Sequence, residues 1–293
     1  MNGLAALLAA AVLTTAPRLT PPPGPSPLVI RAASRAMQPG ELVVLTVSSA
    51  ASLTAVHARA FNTDITGFAV GQNDPHRWRV LIGIDLDVAP GRHPVVVTAS
   101  TTAGPLESTY ELVVRPKKFP TRRLSVNEAM VNPPPSVQPR IAAETKEQQA
   151  IWDAPAPERL WTAPFVRPVP QAANSAFGTR SVFNGQPRGA HGGADFRSPA
   201  GTPVKAPNAG RVVLAKDLYF AGNTVIIDHG LGVFSFLCHF SKINVAVGDM
   251  VTPGQIVGLV GATGRVTGAH LHWTLRVSGA RVDPLALLVL LGR

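Results

Sequence analysis

Residues 261–277, GATGRVTGAHLHWTLRV, indicate the fold of the C-terminal half. A glycine-rich loop opens it, and a run of alternating apolar and polar residues follows from His270. Because successive side chains of a strand point to opposite faces, Leu271 and every second residue after it should fill a core. His270, His272 and Thr274 should then face outward together. The pattern predicts a strand that is buried on one face and carries two histidines on the other.

The same strand-and-turn pattern extends back to about residue 171. Eighteen of the 26 glycines follow residue 170, which is typical of a β domain with many turns. The spacing of the apolar runs predicts an antiparallel β domain over 171–293, in which Leu285–Leu291 packs as a terminal element. The predicted strands are Arg211–Ala215, Asn223–Asp228, Val233–Phe240, Ile256–Val260 and His270–Val277.

Residues 28–115 predict a second β domain, a small Ig-like sandwich. Short β-branched runs alternate there with turn signals, and strands of this length and spacing are typical of sandwiches. The predicted strands are Glu41–Val47, Trp78–Leu86, His93–Ala99 and Tyr110–Val114. Three histidines, His57, His76 and His93, lie too far apart in sequence to indicate a metal site, so we expect an accessory domain.

Prolines mark the connecting segments. Of 28 prolines, six lie in residues 17–27 and eleven in residues 116–170. The second cluster makes residues 116–170 a connector, within which Ser136 could cap a short helix that runs through Trp152. Several side chains of this connector are too apolar for a free linker, and one hypothesis is that residues 133–170 cover a functional groove. These side chains are Trp152, Leu160, Trp161 and Phe165.

The N-terminus resembles a secretory signal followed by a proline-rich spacer, together residues 1–27. Its apolar run Leu4–Leu13 is shorter than the about 20 residues that a membrane-spanning helix needs. We therefore expect export to the periplasm or the extracellular space. No lysine or arginine precedes the run, and a proline follows Ala16, so an apolar start that is not cleaved stays the alternative. No other stretch reaches transmembrane length.

Composition limits the chemistry. The chain has 293 residues, of which 45% are hydrophobic and 15% charged, and this excludes a disordered chain. Its single cysteine, Cys238, excludes an internal disulfide and a thiolate zinc cluster, so a metal would be held by histidine and carboxylate. The net charge of +10 favours an anionic partner. No nucleic-acid-binding signature occurs, so we expect no nucleic acid, and a wall polymer or a membrane surface stays open.

Four histidines and one aspartate could converge on one site. His191 and Asp195 are four residues apart, His270 and His272 are two apart, and His239 lies on another predicted strand. Three segments could thus bring nitrogen and oxygen atoms to one point, as a zinc site with one open position requires. Two solvated histidines on a sheet are the plain alternative for the His-x-His pair. The chain has no H-E-x-x-H helix, which excludes a thermolysin-like arrangement.

Six short motifs stand in order along the C-terminal half. They are SAFGTR (175–180), HGGADF (191–196), PAGTPV (199–204), CHF (238–240), VGD (247–249) and TGAHLHW (267–273). In identity and order they resemble the LytM/lysostaphin-type peptidoglycan metallopeptidases, and the resemblance covers about residues 171–287. It says little about the first 170 residues beyond a β-rich accessory region.

The resemblance implies a zinc metallopeptidase domain built on an antiparallel β-sheet, in an otherwise mostly β chain. Matched to the family's motifs, His191, Asp195 and His272 are the zinc ligands, and His239 and His270 are the catalytic histidines. The implied reaction is hydrolysis of peptide cross-links in peptidoglycan by a monomeric endopeptidase. Stem cross-links and glycine bridges both stay open as the bond that is cut, with stem cross-links preferred.

A different class of function also stays open. The alternative is a non-catalytic LytM-type protein that binds the wall or activates a partner amidase. Such members typically lack part of the five-residue set, whereas this chain has every member of it. The catalytic interpretation is therefore preferred.

Some neighbouring residues receive structural predictions. Cys238 should be a buried thiol that alternation points away from His239, and His229 should stabilise a turn. Residues 261–268 lack the Gly-Lys-Ser/Thr ending of a phosphate-binding loop, so we expect a tight loop at the rim of the groove. Four basic residues could attract substrate carboxylates, although ordinary solvated charge is slightly preferred. They are Arg180, Arg188, Arg197 and Lys205.

Overall fold

The computed structural model describes residues 28–292 except 72–73, 126–127, 163 and 174–176. The signal-like segment therefore lies outside the described residues. So do Ser175 and Ala176, the first two residues of the SAFGTR motif. Within the part of the chain that is described, no helix combines the length and the apolar character needed to cross a bilayer.

The N-terminal part is a sandwich of two four-stranded antiparallel sheets. The first has the order β1-β2-β6-β5 and the second β4-β3-β7-β8. The strands are β1 (Val29–Ala33), β2 (Leu42–Ser48), β3 (Ala55–Ala60), β4 (Thr63–Thr66), β5 (Phe68–Ala69), β6 (Arg77–Gly83), β7 (Gly91–Thr101) and β8 (Gly104–Val114).

Alternation within these strands builds the sandwich core. On β7, for example, Val95, Val97 and Ala99 are buried, and they meet residues of the opposite sheet such as Leu45 and Ile82. The four predicted strands correspond to β2, β6, β7 and β8. Their ends agree within a few residues, except that β8 begins earlier than predicted, at Gly104. The two-sheet sandwich is present, and its Ig-like assignment stays a prediction.

The connector contains one strand and two helices. They are β9 (Thr121–Leu124), α1 (Glu128–Val131) and α2 (Gln138–Trp152), the last preceded by a 3-10 turn at Pro135–Val137. The predicted helix is present and ends at Trp152, but Ser136 does not cap it: Ser136 lies within the 3-10 turn, and Val137 is the N-cap residue, without a side-chain hydrogen bond. The strand β9 was not predicted, and it pairs in parallel with a strand of the C-terminal part.

Antiparallel strands form one nine-stranded sheet in the C-terminal part. Its main order is β12-β19-β16-β15-β14-β17, while β18 pairs with β13 and β16, and β20 pairs with β19. The elements are β12 (Ala194–Phe196), β13 (Pro203–Lys205), β14 (Gly210–Leu218), β15 (Gly222–Asp228), β16 (Val233–Ile243), β17 (Met250–Val251), β18 (Ile256–Val260), β19 (Leu271–Val277), β20 (Ala280–Val282) and the terminal helix α3 (Pro284–Leu291). The predicted mostly β class and antiparallel sheet are confirmed.

A small three-stranded sheet stands beside the large one. Its order is β11-β10-β9, with β10 at Arg180–Phe183 and β11 at Gln186–Ala190. The connector strand β9 therefore completes a sheet that otherwise belongs to the C-terminal part.

The two faces of the large sheet have different neighbours. On β19, Leu271, Trp273 and Leu275 are fully buried in the main core, as the alternation predicted. The intervening residues, His272 and Thr274, occupy the opposite face, since neighbours on a strand alternate. Burial of apolar side chains of this size contributes roughly 1.5–3 kcal/mol each, so the core face fixes the direction in which the histidine face points.

Candidate metal centre and groove

Three polar side chains converge on the outward face of the large sheet. Asp195 on β12 stands directly opposite His272 on β19 in the antiparallel register, and His191 comes just after β11. The Oδ1 atom of Asp195 lies 2.7 Å from Nδ1 of His272 and 3.0 Å from Nε2 of His191. The two imidazole nitrogens are 3.1 Å apart. These atoms form a nearly equilateral triangle at a single point.

The chemistry of this triangle fits a zinc ion. Two imidazole nitrogens and one carboxylate oxygen are a ligand set that Zn²⁺ accepts, and bond lengths near ~2.0 Å place tetrahedral ligand atoms about 3.3 Å apart. The observed separations of 2.7–3.1 Å are close to that spacing. Within the described residues, the same three side chains form the group whose ligand atoms all lie close enough together to hold one metal ion.

Electrostatics favour the ligand form of Asp195 and His272. Burial raises the pKa of Asp195, but hydrogen bonds and charge from His191 and His272 hold that pKa well below its ordinary value. Burial lowers the pKa of His272, and the contact with Asp195 opposes this. At neutral pH the site therefore offers a carboxylate and a neutral imidazole.

Thr274 bears on which ring nitrogen of His272 is available to a metal. Its hydroxyl oxygen lies 2.8 Å from Nε2 of His272, so Nε2–H can donate there and Nδ1 keeps its lone pair toward the triangle. Partners of this kind orient a ligating imidazole and set its tautomer. The sequence pattern placed Thr274 on the correct face, but nothing in the spacing indicated this contact.

Two further histidines stand beside the triangle. The ring of His239 lies 4.8 Å from the ring of His270 and 6.1 Å from that of His272. Nδ1 of His239 is 2.9 Å from the carbonyl oxygen of Thr263, and Nδ1 of His270 is 2.9 Å from that of Gly268. Each Nδ1–H can donate to its carbonyl, which leaves Nε2 as a proton acceptor. Nε2 of His270 lies 3.8 Å from Asp195.

His239 has an unusual backbone and a lowered basicity. Its φ of 68° lies in the left-handed region, which non-glycine residues seldom adopt and which is enriched at functional sites. Burial, and then the proximity of His272, lowers its pKa to about 4. At neutral pH this imidazole is uncharged.

The same backbone irregularity corrects the prediction for Cys238. The thiol is buried, as expected, but Cys238 and His239 both line the same cavity, so Cys238 does not point away from the histidine. Alternation fails because the register between β16 and its neighbours shifts at this end of the strand. Burial raises the pKa of the thiol well above its ordinary value, and the charge of Asp195 adds to the rise.

The five residues open onto a groove of about 1050 Å³. One wall comes from the small sheet and includes Pro120 and Arg122 of the connector. The loop 265–270 forms part of the rim, where the glycine-rich segment was predicted to lie. Thr263 ties this loop to the sheet, since its hydroxyl accepts from Asn223 N–H and donates to the Phe240 carbonyl.

Basic side chains line the groove, but not all of those predicted. Arg188 and Arg197 line it, whereas Arg180 and Lys205 do not belong to the described lining. Sequence reasoning missed Arg122 and Arg265, which also line it. Arg122 lies on β9, and its place in the groove depends on a parallel strand pairing that no local pattern predicts.

The remaining histidines lie outside the groove. His229 is fully buried and bonds the Ala209 carbonyl and the Ser235 hydroxyl at 2.8 and 2.9 Å, which supports its predicted structural role. His57, His76 and His93 lie in the sandwich and do not line the groove.

The connector does not cover the groove in the part that the structure describes. None of the described residues in 133–170 lines the cavity. Trp152 packs against Phe234 on the face of the large sheet that carries the groove, but outside the groove itself. Trp161 and Phe165 are buried in the core on the opposite face. Leu160 donates its N–H to the His229 carbonyl.

An antiparallel sheet that presents a His-Asp-His triangle and two more histidines in an open groove defines a metallopeptidase-type site. The sequence profile of peptidase family M23 matches residues 189–284. A crystal structure from Pseudomonas aeruginosa, assigned to the same family, superposes with a TM-score of 0.67 at 31% identity, covering 86% of this chain and 94% of that one. The chain belongs to peptidase family M23.

Two curated relatives match about a third of the chain. Peptidoglycan DD-endopeptidase ShyA of Vibrio cholerae is 46% identical over 95 residues, which are 32% of this chain and 22% of the relative. Lysostaphin of Staphylococcus simulans is 41% identical over 106 residues, 34% of this chain and 22% of the relative. The chain thus spans less than a quarter of the length of these relatives.

Proposed function

We propose that this chain is a zinc-dependent endopeptidase that hydrolyses peptide cross-links of bacterial peptidoglycan. The observation that carries the proposal is the triangle of His191, Asp195 and His272 beside His239 and His270 in an open groove. The names of the relatives ShyA and lysostaphin support the choice of substrate and reaction.

Zinc would be held by Nε2 of His191, Oδ1 of Asp195 and Nδ1 of His272. Three protein ligands leave a fourth position open, which is typical of catalytic rather than structural zinc sites. The chemistry that zinc supplies when bound is polarisation of a carbonyl and a lowered pKa for water. Asp195 supplies the negative charge that attracts the ion, since its pKa lies well below the ordinary value.

His239 and His270 would move protons and stabilise charge. Each is fixed by a backbone carbonyl at Nδ1, so Nε2 of a neutral ring can accept a proton from the attacking water. The resulting imidazolium can stabilise the developing oxyanion and pass its proton to the leaving amine. A pKa of about 4 keeps His239 neutral at working pH, and that protonation state is required of an acceptor.

The remaining parts of the proposal concern the whole chain. The substrate is a wall polymer outside the cytoplasm, so we infer export through the signal-like segment 1–27 to the periplasm or the extracellular space. We further propose that residues 28–115 are an accessory domain, that residues 171–293 carry the peptidase site, and that the protein acts as a monomer.

The non-catalytic alternative receives less support. A wall-binding or amidase-activating protein would not need five side chains held at these distances, with both extra histidines in the tautomer that a base requires. No contact in the described residues favours it.

Purified sacculi provide the test. The zinc-loaded protein should release new amine termini, and mass spectrometry of the products identifies the bond. His270→Ala should lower the rate by about a hundredfold or more, since a positioned acid or base contributes 10²–10⁴. Equal release by wild type and His270→Ala, with the fold unchanged by circular dichroism, would reject the catalytic role.

A further inference from the structure

The groove carries an excess of positive charge. Four arginines line it, Arg122, Arg188, Arg197 and Arg265, against the single carboxylate of Asp195 among the described lining residues. That carboxylate is already engaged by His191 and His272. A groove walled by one sign of charge attracts ligands of the opposite sign.

Aromatic rings hold the Arg265 side chain in the groove wall. Its guanidinium stacks on the ring of Phe220 at 4.3 Å and lies 6.0 Å from the ring of Phe183. Its backbone N–H also donates to the Phe220 carbonyl at 2.8 Å. Stacking orients the guanidinium plane, and the donors in that plane match the geometry of a carboxylate.

A second arginine, Arg188, lines the same groove as Arg265. Burial lowers the pKa of Arg265, and the charge of Arg188 lowers it further. Nη2 of Arg188 donates to the Val131 carbonyl at 2.6 Å and to the Gln186 side chain at 2.9 Å, so neutral groups hold it in the wall. The Glu128 carboxylate accepts a hydrogen bond from the Asn184 side chain, and this contact, more than the charge of Arg188, lowers its pKa. Glu128 is exposed. Two like charges held partly out of water are stabilised when an anion binds beside them.

We propose that Arg265, supported by the charge of Arg188, binds a free carboxylate of the peptide substrate next to the bond that is cut. This rests on the proposed endopeptidase function and names its substrate class. Stem peptides carry free carboxylates close to their cross-links, whereas the interior of a glycine bridge carries none. The arginine pair therefore selects carboxylate-bearing stem peptides.

Two cross-linked stem-peptide dimers test the proposal, one with free carboxylates and one with the same groups amidated. Wild type should cleave the free form with a kcat/KM about tenfold higher or more, as expected for a charge-assisted hydrogen bond. Arg265→Gln should lower kcat/KM for the free dimer and bring the ratio of the two kcat/KM values close to one. Arg265→Lys should retain part of the preference.

Arg180→Gln is the matched control. It removes the same charge from the small sheet, but Arg180 is exposed and outside the described groove lining. Its preference for the free dimer should equal that of wild type. Equal cleavage of both dimers by wild type, or an undiminished preference in Arg265→Gln, overturns the subsite.

A binding measurement distinguishes failure of the endopeptidase proposal from failure of the carboxylate subsite. If wild type cleaves neither dimer, calorimetric binding of a stem tetrapeptide, which has no cross-link, still tests the subsite. Binding that weakens about tenfold on amidation and in Arg265→Gln supports it, and binding that is absent or indifferent to both changes refutes it.

Discussion

Single hydrogen-bond partners set the tautomers of the histidines in this fold. The Thr274 hydroxyl can accept from Nε2 of His272, which leaves Nδ1 for the proposed metal, while backbone carbonyls fix the tautomers of His239 and His270. His229, buried between the Ala209 carbonyl and the Ser235 hydroxyl, uses the same kind of contact for stability alone. The role of each histidine depends on which ring nitrogen is already engaged in a hydrogen bond.

Thr274→Val should weaken zinc binding by about ten- to a hundredfold, the usual effect of removing a partner that orients a ligand. Valine keeps the shape of threonine but cannot accept from Nε2 of His272. Competition with a chromogenic chelator measures the affinity. Thr274→Ser keeps the hydroxyl and should stay near wild type, and an unchanged affinity in Thr274→Val would show that the contact does not orient His272.

Stability should fall as pH drops from about 6.5 to about 4. Burial lowers the pKa of His229 to about 4, whereas an unfolded histidine titrates near about 6.5. Between these values the unfolded chain binds the extra proton, so the contribution is fully present above about 6.5 and is lost as pH falls through the window. Urea unfolding at several pH values measures this.

The control for this pH profile is the exposed His57. His57→Gln should leave the slope of stability against pH as in wild type, whereas His229→Gln should reduce that slope. An identical slope in His229→Gln would mean that other groups cause the acid sensitivity.

The ladder between β12 and β19 aligns the proposed metal ligands. It places Asp195 opposite His272 and brings the backbone of Gly193 against the neighbouring strand. A Cβ on Gly193 would lie 2.4 Å from the Trp273 carbonyl oxygen and 2.8 Å from the ring of His272. The second glycine of the HGGAD motif is therefore required by close approach.

Gly193→Ala should displace His272 or open the ladder, and zinc affinity should fall at least about tenfold. Gly192→Ala is the matched control, since its nearest neighbour would be Arg281 Cδ at an ordinary 3.8 Å. Zinc titration of the two variants gives the comparison. If both bind zinc equally well, close packing at Gly193 does not position the ligand.

Sequence patterns predicted those parts of the site that depend on regular strands. Alternation put Leu271 in the core and His272 on the open face, and the spacing of four brought His191 near Asp195. It failed at Cys238, where the positive φ of the next residue breaks the alternation. Arg122 was also missed, because its position depends on the pairing of β9 with a strand about 60 residues away in the chain.

In the described part of the chain, the sandwich and the large sheet share a buried core. Leu42, Val44 and Leu81 of the sandwich share one buried cluster with residues of the large sheet. Across the same boundary, Arg281 forms ion pairs with Asp85 and Asp87. Backbone hydrogen bonds also tie the connector to the C-terminal part, including Phe165 N–H to the Leu291 carbonyl. The connector is a structural part of the peptidase region.

A fragment of residues 171–293 should therefore be poorly folded. It lacks β9 of the groove wall and the buried Trp161, Phe165 and Val169. Thermal unfolding and soluble yield measure the loss. A fragment starting at residue 117 keeps these elements and should be more stable. Higher activity in 171–293 than in the full chain would instead support a covering role for residues 133–170.

The central claim is that one zinc ion, held by His191, Asp195 and His272, makes this chain a peptidoglycan endopeptidase. Its most direct test is to strip the protein with a chelator, add zinc stepwise, and record release of amine termini from purified sacculi. Activity should be absent in the stripped protein, rise in proportion to zinc, and level off at one equivalent per chain, with no recovery in His272→Ala. Full activity in the stripped protein, or equal recovery in His272→Ala, would contradict the claim.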